Sequence, residues 1–181
     1  MYIRPMIMCL AVAASAPCAF GQGEPTLPHT GADFVAMASQ DGMTEVQLGK
    51  MALMKSSNPD IKKFASRMVR DHSKANTQLA GIAKKDGIPV SKSLDAEHSA
   101  MLQKMSEKSG ADFDAAYTSD MLADHKKAIT LFENEQSDTA HPALSSFAQS
   151  TLPVLREHQH MAQQLTSKVA QQIPNGAAKS L

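Results

Sequence analysis

Ser57-Asn58-Pro59-Asp60-Ile61-Lys62-Lys63-Phe64-Ala65 closes one helical segment and opens the next. The Asn side chain can accept from the first free amides of a helix, and Pro at the first helical position gives up an N–H that has no intrahelical partner anyway. The same offsets recur later: Leu144 and Phe147-Ala148 follow His141-Pro142 as Ile61 and Phe64-Ala65 follow Asn58-Pro59. Phe34 opens the segment before the first turn and Phe113 the segment before the second. This repeat predicts a duplicated helical hairpin.

Working outward, apolar periodicity predicts helices over residues 33–57, 59–85, 94–108 and 112–137, and from Pro142 to about residue 172. Asp86-Gly87 with Pro89, and Ser109-Gly110, supply the intervening stops, and Pro153 is expected to kink the last helix. No segment alternates with a period of two, so no sheet is expected. Long helices of about 25–30 residues extend roughly 40 Å. Two tight hairpins joined by a longer connection give an all-α, four-helix bundle with a short extra helix in the crossover.

The 181 residues carry 18 Lys+Arg against 18 Asp+Glu, with 4% aromatics and no Trp. A neutral chain without base-stacking aromatics is not expected to bind nucleic acid. Residues 1–21 read as a signal peptide: Arg4, an apolar run over Met6–Ala16, and the small residues around Ala19-Phe20-Gly21 place cleavage before Gln22. That run is too short to span a membrane, so the mature chain is expected to have no transmembrane helix. Pro17 before Cys18 argues against lipidation. Both cysteines, Cys9 and Cys18, fall inside the signal, which excludes thiolate chemistry from the mature chain. Residues 22–32 read as a flexible linker, 33–172 as the bundle domain and 173–181 as a disordered tail.

At about 100° per residue, each long helix carries an ionisable residue on its apolar stripe. Glu45 lies among Phe34, Ala38, Leu48 and Ala52; His72 lies among Ile61, Phe64, Met68 and Leu79. Asp124 follows Phe113 by eleven residues, as Glu45 follows Phe34, and so falls on the stripe of Tyr117, Ala128 and Leu131, with His125 nearer its edge. His158 lies beside Leu155 and Ala162, and Asp71 at the margin of its stripe. Counted from the turns, all stand roughly 20–24 Å along the axis, in one mid-bundle layer. Such a layer has two readings. In the commoner one it is structural, with Glu45 and Asp124 accepting from histidines. In the other, Glu45, His72, Asp124, His125 and His158 form a divalent-metal site. Glu97-His98 and His160 are expected to face solvent, and the scattered methionines to fill the core. No nucleophile elbow or glycine-rich phosphate loop is present.

Phe34-Val35, Glu45-Val46-Gln47-Leu48-Gly49-Lys50, Ser57-Asn58-Pro59, Met68-Val69-Arg70-Asp71-His72, Ala111-Asp112-Phe113-Asp114, Asp124-His125 and Leu152-Pro153 occur in a recognisable order. Over residues 32–168 the chain resembles a bacterial secreted family of unknown function, domain of unknown function 4142, often labelled an outer-membrane protein with a ferritin-like fold. The resemblance implies an exported helical bundle and supplies no activity. The ferritin-like di-iron pattern needs a Glu three residues before each ligating His. Val69 and Leu155 stand there instead, so ferroxidase chemistry is not expected. The sequence thus points to a non-catalytic structural, stress-related or binding protein, periplasmic or peripherally associated with the outer membrane, with no assigned cofactor or partner. Its alternative is a metal-binding protein with a mid-bundle His/carboxylate site.

Overall fold

Thr30 fixes where the first helix begins: its hydroxyl accepts from the Asp33 amide at 3.2 Å while the Thr30 amide donates to the Asp33 carboxylate at 3.0 Å. This reciprocal capping starts α1 at Gly31, two residues inside the stretch read as linker, in a computed structural model that describes residues 30–172. The expected signal peptide, the tail and the linker up to residue 29 lie outside the described residues.

Five helices follow: α1 Gly31–Lys55, α2 Pro59–Lys85, α3 Ala96–Ser106, α4 Gly110–Glu135 and α5 Pro142–Gln172. Asn58 caps α2 as expected, accepting from the amides of Asp60 and Ile61 at 2.9 and 3.4 Å. Gly87, just past α2, takes a φ of 69°, the left-handed region that a glycine enters without steric cost. α5 runs on through Pro153, which sits on the exposed side of the helix.

The hairpins α1–α2 and α4–α5 pack side by side, α1 against α4 and α2 against α5. α1 and α2 approach closely at Gly49, where a Cβ would meet Val69 Cγ2 at 2.8 Å and the Ala65 carbonyl oxygen at 3.2 Å. The crossover carries α3 along α1 and is pinned there at both ends. Gln40 Nε2 donates to the Ser93 carbonyl at 3.2 Å, and Lys55 Nζ donates to the carbonyls of Ser106 and Lys108.

The core falls into two clusters at opposite ends of the bundle. One gathers Phe34, Leu79, Phe132, Leu144, Phe147 and Leu155; the other gathers Leu48, Phe64, Met68, Phe113, Tyr117, Met121 and Ala162. Of the methionines read as core filler, Met68, Met105 and Met121 are buried, whereas Met37 and Met54 are exposed. Among the described residues no helix is long and apolar enough to cross a membrane.

Candidate metal centre

Each long helix places one ionisable side chain between the two clusters. Glu45 lies between Ala38 and Leu48, His72 between Met68 and Leu79, His125 between Met121 and Ala128, and His158 between Leu155 and Ala162. All four are buried, His125 and His158 completely. The three imidazole rings form a nearly equilateral triangle, with centroids 5.3, 5.4 and 5.5 Å apart. One nitrogen from each ring lies within 4.8 Å of the other two.

The outer nitrogen of every ring is committed to an acceptor. His72 Nδ1 donates to Glu45 Oε2 at 2.7 Å, His125 Nδ1 to the Met121 carbonyl at 2.8 Å, and His158 Nε2 to Asp71 Oδ2 at 3.0 Å. Carboxylates and carbonyls only accept, so each hydrogen bond fixes a proton on that nitrogen and, in a neutral ring, leaves the lone pair on the other. The remaining nitrogens, His72 Nε2, His125 Nε2 and His158 Nδ1, are buried and have no hydrogen-bond partner. An unsatisfied buried polar atom costs about 1–3 kcal/mol, and this layer holds three such nitrogens. Outer nitrogens oriented by carboxylate or carbonyl and inner lone pairs left bare is how proteins present histidines to a metal ion.

Electrostatics favour neutral rings at His125 and His158 and a protonated ring at His72. Burial pushes His158 down to about 4, with the charge of His72 adding to the effect. Burial likewise lowers His125, so both rings are neutral near pH 7. Burial alone would raise Glu45, but the charges of His72 and His125 hold it at about 2. For His72 burial works downward and the Glu45 charge overcomes it, giving a net rise. Without metal, the layer therefore holds a Glu45–His72 ion pair, and an incoming cation must displace the His72 proton.

Asp71 belongs to this arrangement through His158. Burial works to raise it, while hydrogen bonds from Arg70, His158 and Arg67 keep it ionised. Arg70 Nε lies 2.9 Å and Arg67 Nε 3.3 Å from its oxygens, and Arg67 also forks onto Glu157 at 2.5 and 2.6 Å. A cavity of about 30 Å³, bordered by Glu45, Asp71, His72 and His158, leaves room for about one water-sized ligand beside the rings. Nitrogens around a tetrahedral zinc lie about 3.3 Å apart, given Zn–N of about 2.0–2.1 Å, so binding requires the rings to draw inward.

Of the residues nominated by sequence, Glu45, His72, His125 and His158 are brought together and Asp124 is not. The wheel has Asp124 inward and His125 at the edge; the structure reverses them, with Asp124 23% and His125 0% exposed at the side chain. The buried line of α4 advances by fours through Phe113, Tyr117, Met121 and His125, drifting around the helix until the inward position falls one residue later. His158 accordingly finds Asp71, not Asp124, as its partner. His98 is also corrected: it is half-buried against Asp95 and Asp41, at 2.8 and 3.2 Å, while Glu97 and His160 are exposed as expected. Sequence reasoning missed the Met121 carbonyl, which no side-chain pattern reveals, and the role of Asp71, for which the Arg67–Asp71 spacing of four was a readable signal.

A sequence profile described as "Domain of unknown function (DUF4142)" matches residues 16–165. Among solved structures, a DUF305 fragment from Deinococcus radiodurans superposes with a TM-score of 0.67 at 14% identity, covering 76% of this chain and 95% of that one. CopM in its Cu(I)-bound form gives 0.64 at 18% identity, covering 77% and 97%. CopM in an Ag-bound form, obtained by soaking, gives 0.62 at 18%, covering 78% and 98%. At these identities the likeness is one of fold. A comparison with curated proteins finds no significant match.

Proposed function

This chain belongs to the DUF4142 family, and we propose that its bundle binds one late first-row transition-metal ion, copper or zinc, through His72, His125 and His158. The observation that carries this reading is the set of three buried imidazole nitrogens that converge without a single hydrogen-bond partner. A purely structural layer would close its own donors and acceptors; this one is satisfied on the outside and bare within. Neutral imidazole suits copper and zinc, and three such ligands with a small adjoining cavity leave a fourth position open. Support of a different kind comes from the fold shared with CopM, a protein seen with Cu(I) and with silver. Two-iron chemistry is disfavoured by Val69 and Leu155, since neither can supply a bridging carboxylate. The role we assign is binding rather than catalysis, in a protein exported to the cell envelope, as the signal-like residues 1–21 suggest.

Thermal melts of the untagged chain, with chelator and with Cu²⁺ or Zn²⁺, test the assignment. A ligand that binds only the folded state adds about 4 kcal/mol at a thousandfold excess over its Kd. The wild-type melt should rise with metal, and His72→Ala, His125→Ala and His158→Ala should each abolish the rise. A wild-type melt indifferent to both metals, alongside destabilised mutants, would leave only a structural layer.

A further inference from the structure

The Asp124 that fails to reach the histidines lines a second feature, an open groove of about 510 Å³ between α1, α4 and the crossover. Five carboxylates border it, Asp41, Glu45, Asp95, Glu97 and Asp124, against Lys127 and His98 as the basic groups. Lys127 offsets little of this charge: its side chain is 80% exposed and its ammonium lies 3.9 Å from Asp124. Asp41 and Glu45 border both the groove and the small cavity beside His72 and His158, so they form the wall between solvent and the histidines. Glu45 is only 4% exposed, and its two oxygens differ. Oε2 accepts from His72, whereas Oε1 is buried, makes no hydrogen bond and lies 3.4 Å from His125 Nδ1. An ionised oxygen that makes no hydrogen bond, on a residue shared by the acidic groove and the histidine layer, is suited to receive a cation.

We propose that this groove is the access site for the metal ion: Asp124 and Asp41 capture a hydrated divalent cation from solvent, and Glu45 Oε1 passes it inward to the histidines. The inference rests on the metal-binding reading above and adds the route. A low-dielectric cleft of one charge sign raises the local concentration of counter-ions and speeds association by about 10- to 1,000-fold, an effect that salt screens. The groove therefore governs how fast the site fills, and the three histidines govern whether it stays filled. Met37 and Met101 add thioethers to the same groove, the ligand type that soft ions such as Cu(I) prefer.

Stopped-flow transfer of Zn²⁺ to the full chain, followed with a chromogenic zinc indicator at low and physiological salt, separates the two roles. The rate reports the groove and the final occupancy reports the histidines. Asp41→Asn/Asp124→Asn should fill at least tenfold more slowly than wild type at low salt, with a flattened salt dependence. Asp124→Lys, a single change at a half-exposed position, should slow filling further, while Asp60→Asn at the distant start of α2 should match wild type. Circular dichroism confirms that each variant keeps its helices. If both groove variants fill at the wild-type rate across salt while one equivalent is bound, the groove is not the route and the histidine site still stands. If the wild type takes up no Zn²⁺, the site and its route fall together.

Discussion

The two hairpins follow one plan and part at one register position. α1–α2 contributes a carboxylate and an imidazole to the layer, Glu45 and His72; α4–α5 contributes two imidazoles, His125 and His158. At the same offset from the opening Phe where Glu45 turns inward, Asp124 turns outward to the groove. A faithful duplication would have paired two carboxylates with two histidines and could have closed on itself. The one-residue drift in α4 instead leaves three imidazoles facing each other, with one carboxylate beside them and a second one stationed outside. A single change of register thus converts a self-satisfied layer into one with unused lone pairs, and supplies the acidic groove besides.

Phe64 and Phe147 hold the same offset in the two hairpins and are 0% and 5% exposed, so the shared plan is tested most strongly there. Phe64→Ala should cost about 3–5 kcal/mol in denaturant unfolding, and Phe147→Ala, which already borders the small cavity, should fall at the lower end. A loss below about 1 kcal/mol at either would mean that hairpin is not built on the plan. The layer itself should respond unequally when metal-free. His72→Ala strands the ionised Glu45 and should cost about 3–5 kcal/mol, whereas His125→Leu frees a backbone carbonyl and removes a longer, 3.4 Å contact to Glu45, and should cost only about 1 kcal/mol. Equal losses would erase the distinction between the hairpins.

Acid titration sharpens the contrast on the α5 side. His158 titrates at about 4 in the folded chain against 6.5 ordinarily, so the unfolded chain takes up its proton first. The stability this neutral ring lends is present above about pH 6.5 and lost as pH falls toward 4, up to about 3 kcal/mol. Wild type minus His158→Leu, measured across that window without metal, should show the loss; a flat difference would place His158 in a wetter setting. The smallest effect is expected at Asp124. Its folded value of about 6 lies above the ordinary 3.8, so its cost is absent below pH 3.8 and sets in as pH rises to 6. Asp124→Asn should accordingly stabilise the metal-free chain by about 1 kcal/mol at pH 8 and not at all at pH 3.5.

Much of this was legible in the chain itself. Asn58-Pro59, Asp86-Gly87 and Ser109-Gly110 punctuate the helices by local chemistry, and their elements fall within two residues of where those signals put them. The inward stripes of α1, α2 and α5 were readable because their spacing averages close to 3.6 residues. α4 was misread because its first buried steps are all of four residues, a drift imposed by packing against α1 and α5 and invisible on an ideal wheel. The tautomers were illegible for a related reason: they depend on the Met121 carbonyl and on Asp71 reaching across to another helix, and both arise only in the assembled bundle.

The most direct test of the central claim is X-ray absorption at the zinc edge on the full, untagged chain loaded with one equivalent of Zn²⁺. Three converging imidazole lone pairs predict a four-coordinate ion with three imidazole nitrogens at about 2.0–2.1 Å and the outer-ring scattering that imidazole alone produces, lost on His125→Ala. An ion surrounded only by oxygen, with no imidazole signature and no change in the variant, would contradict the account.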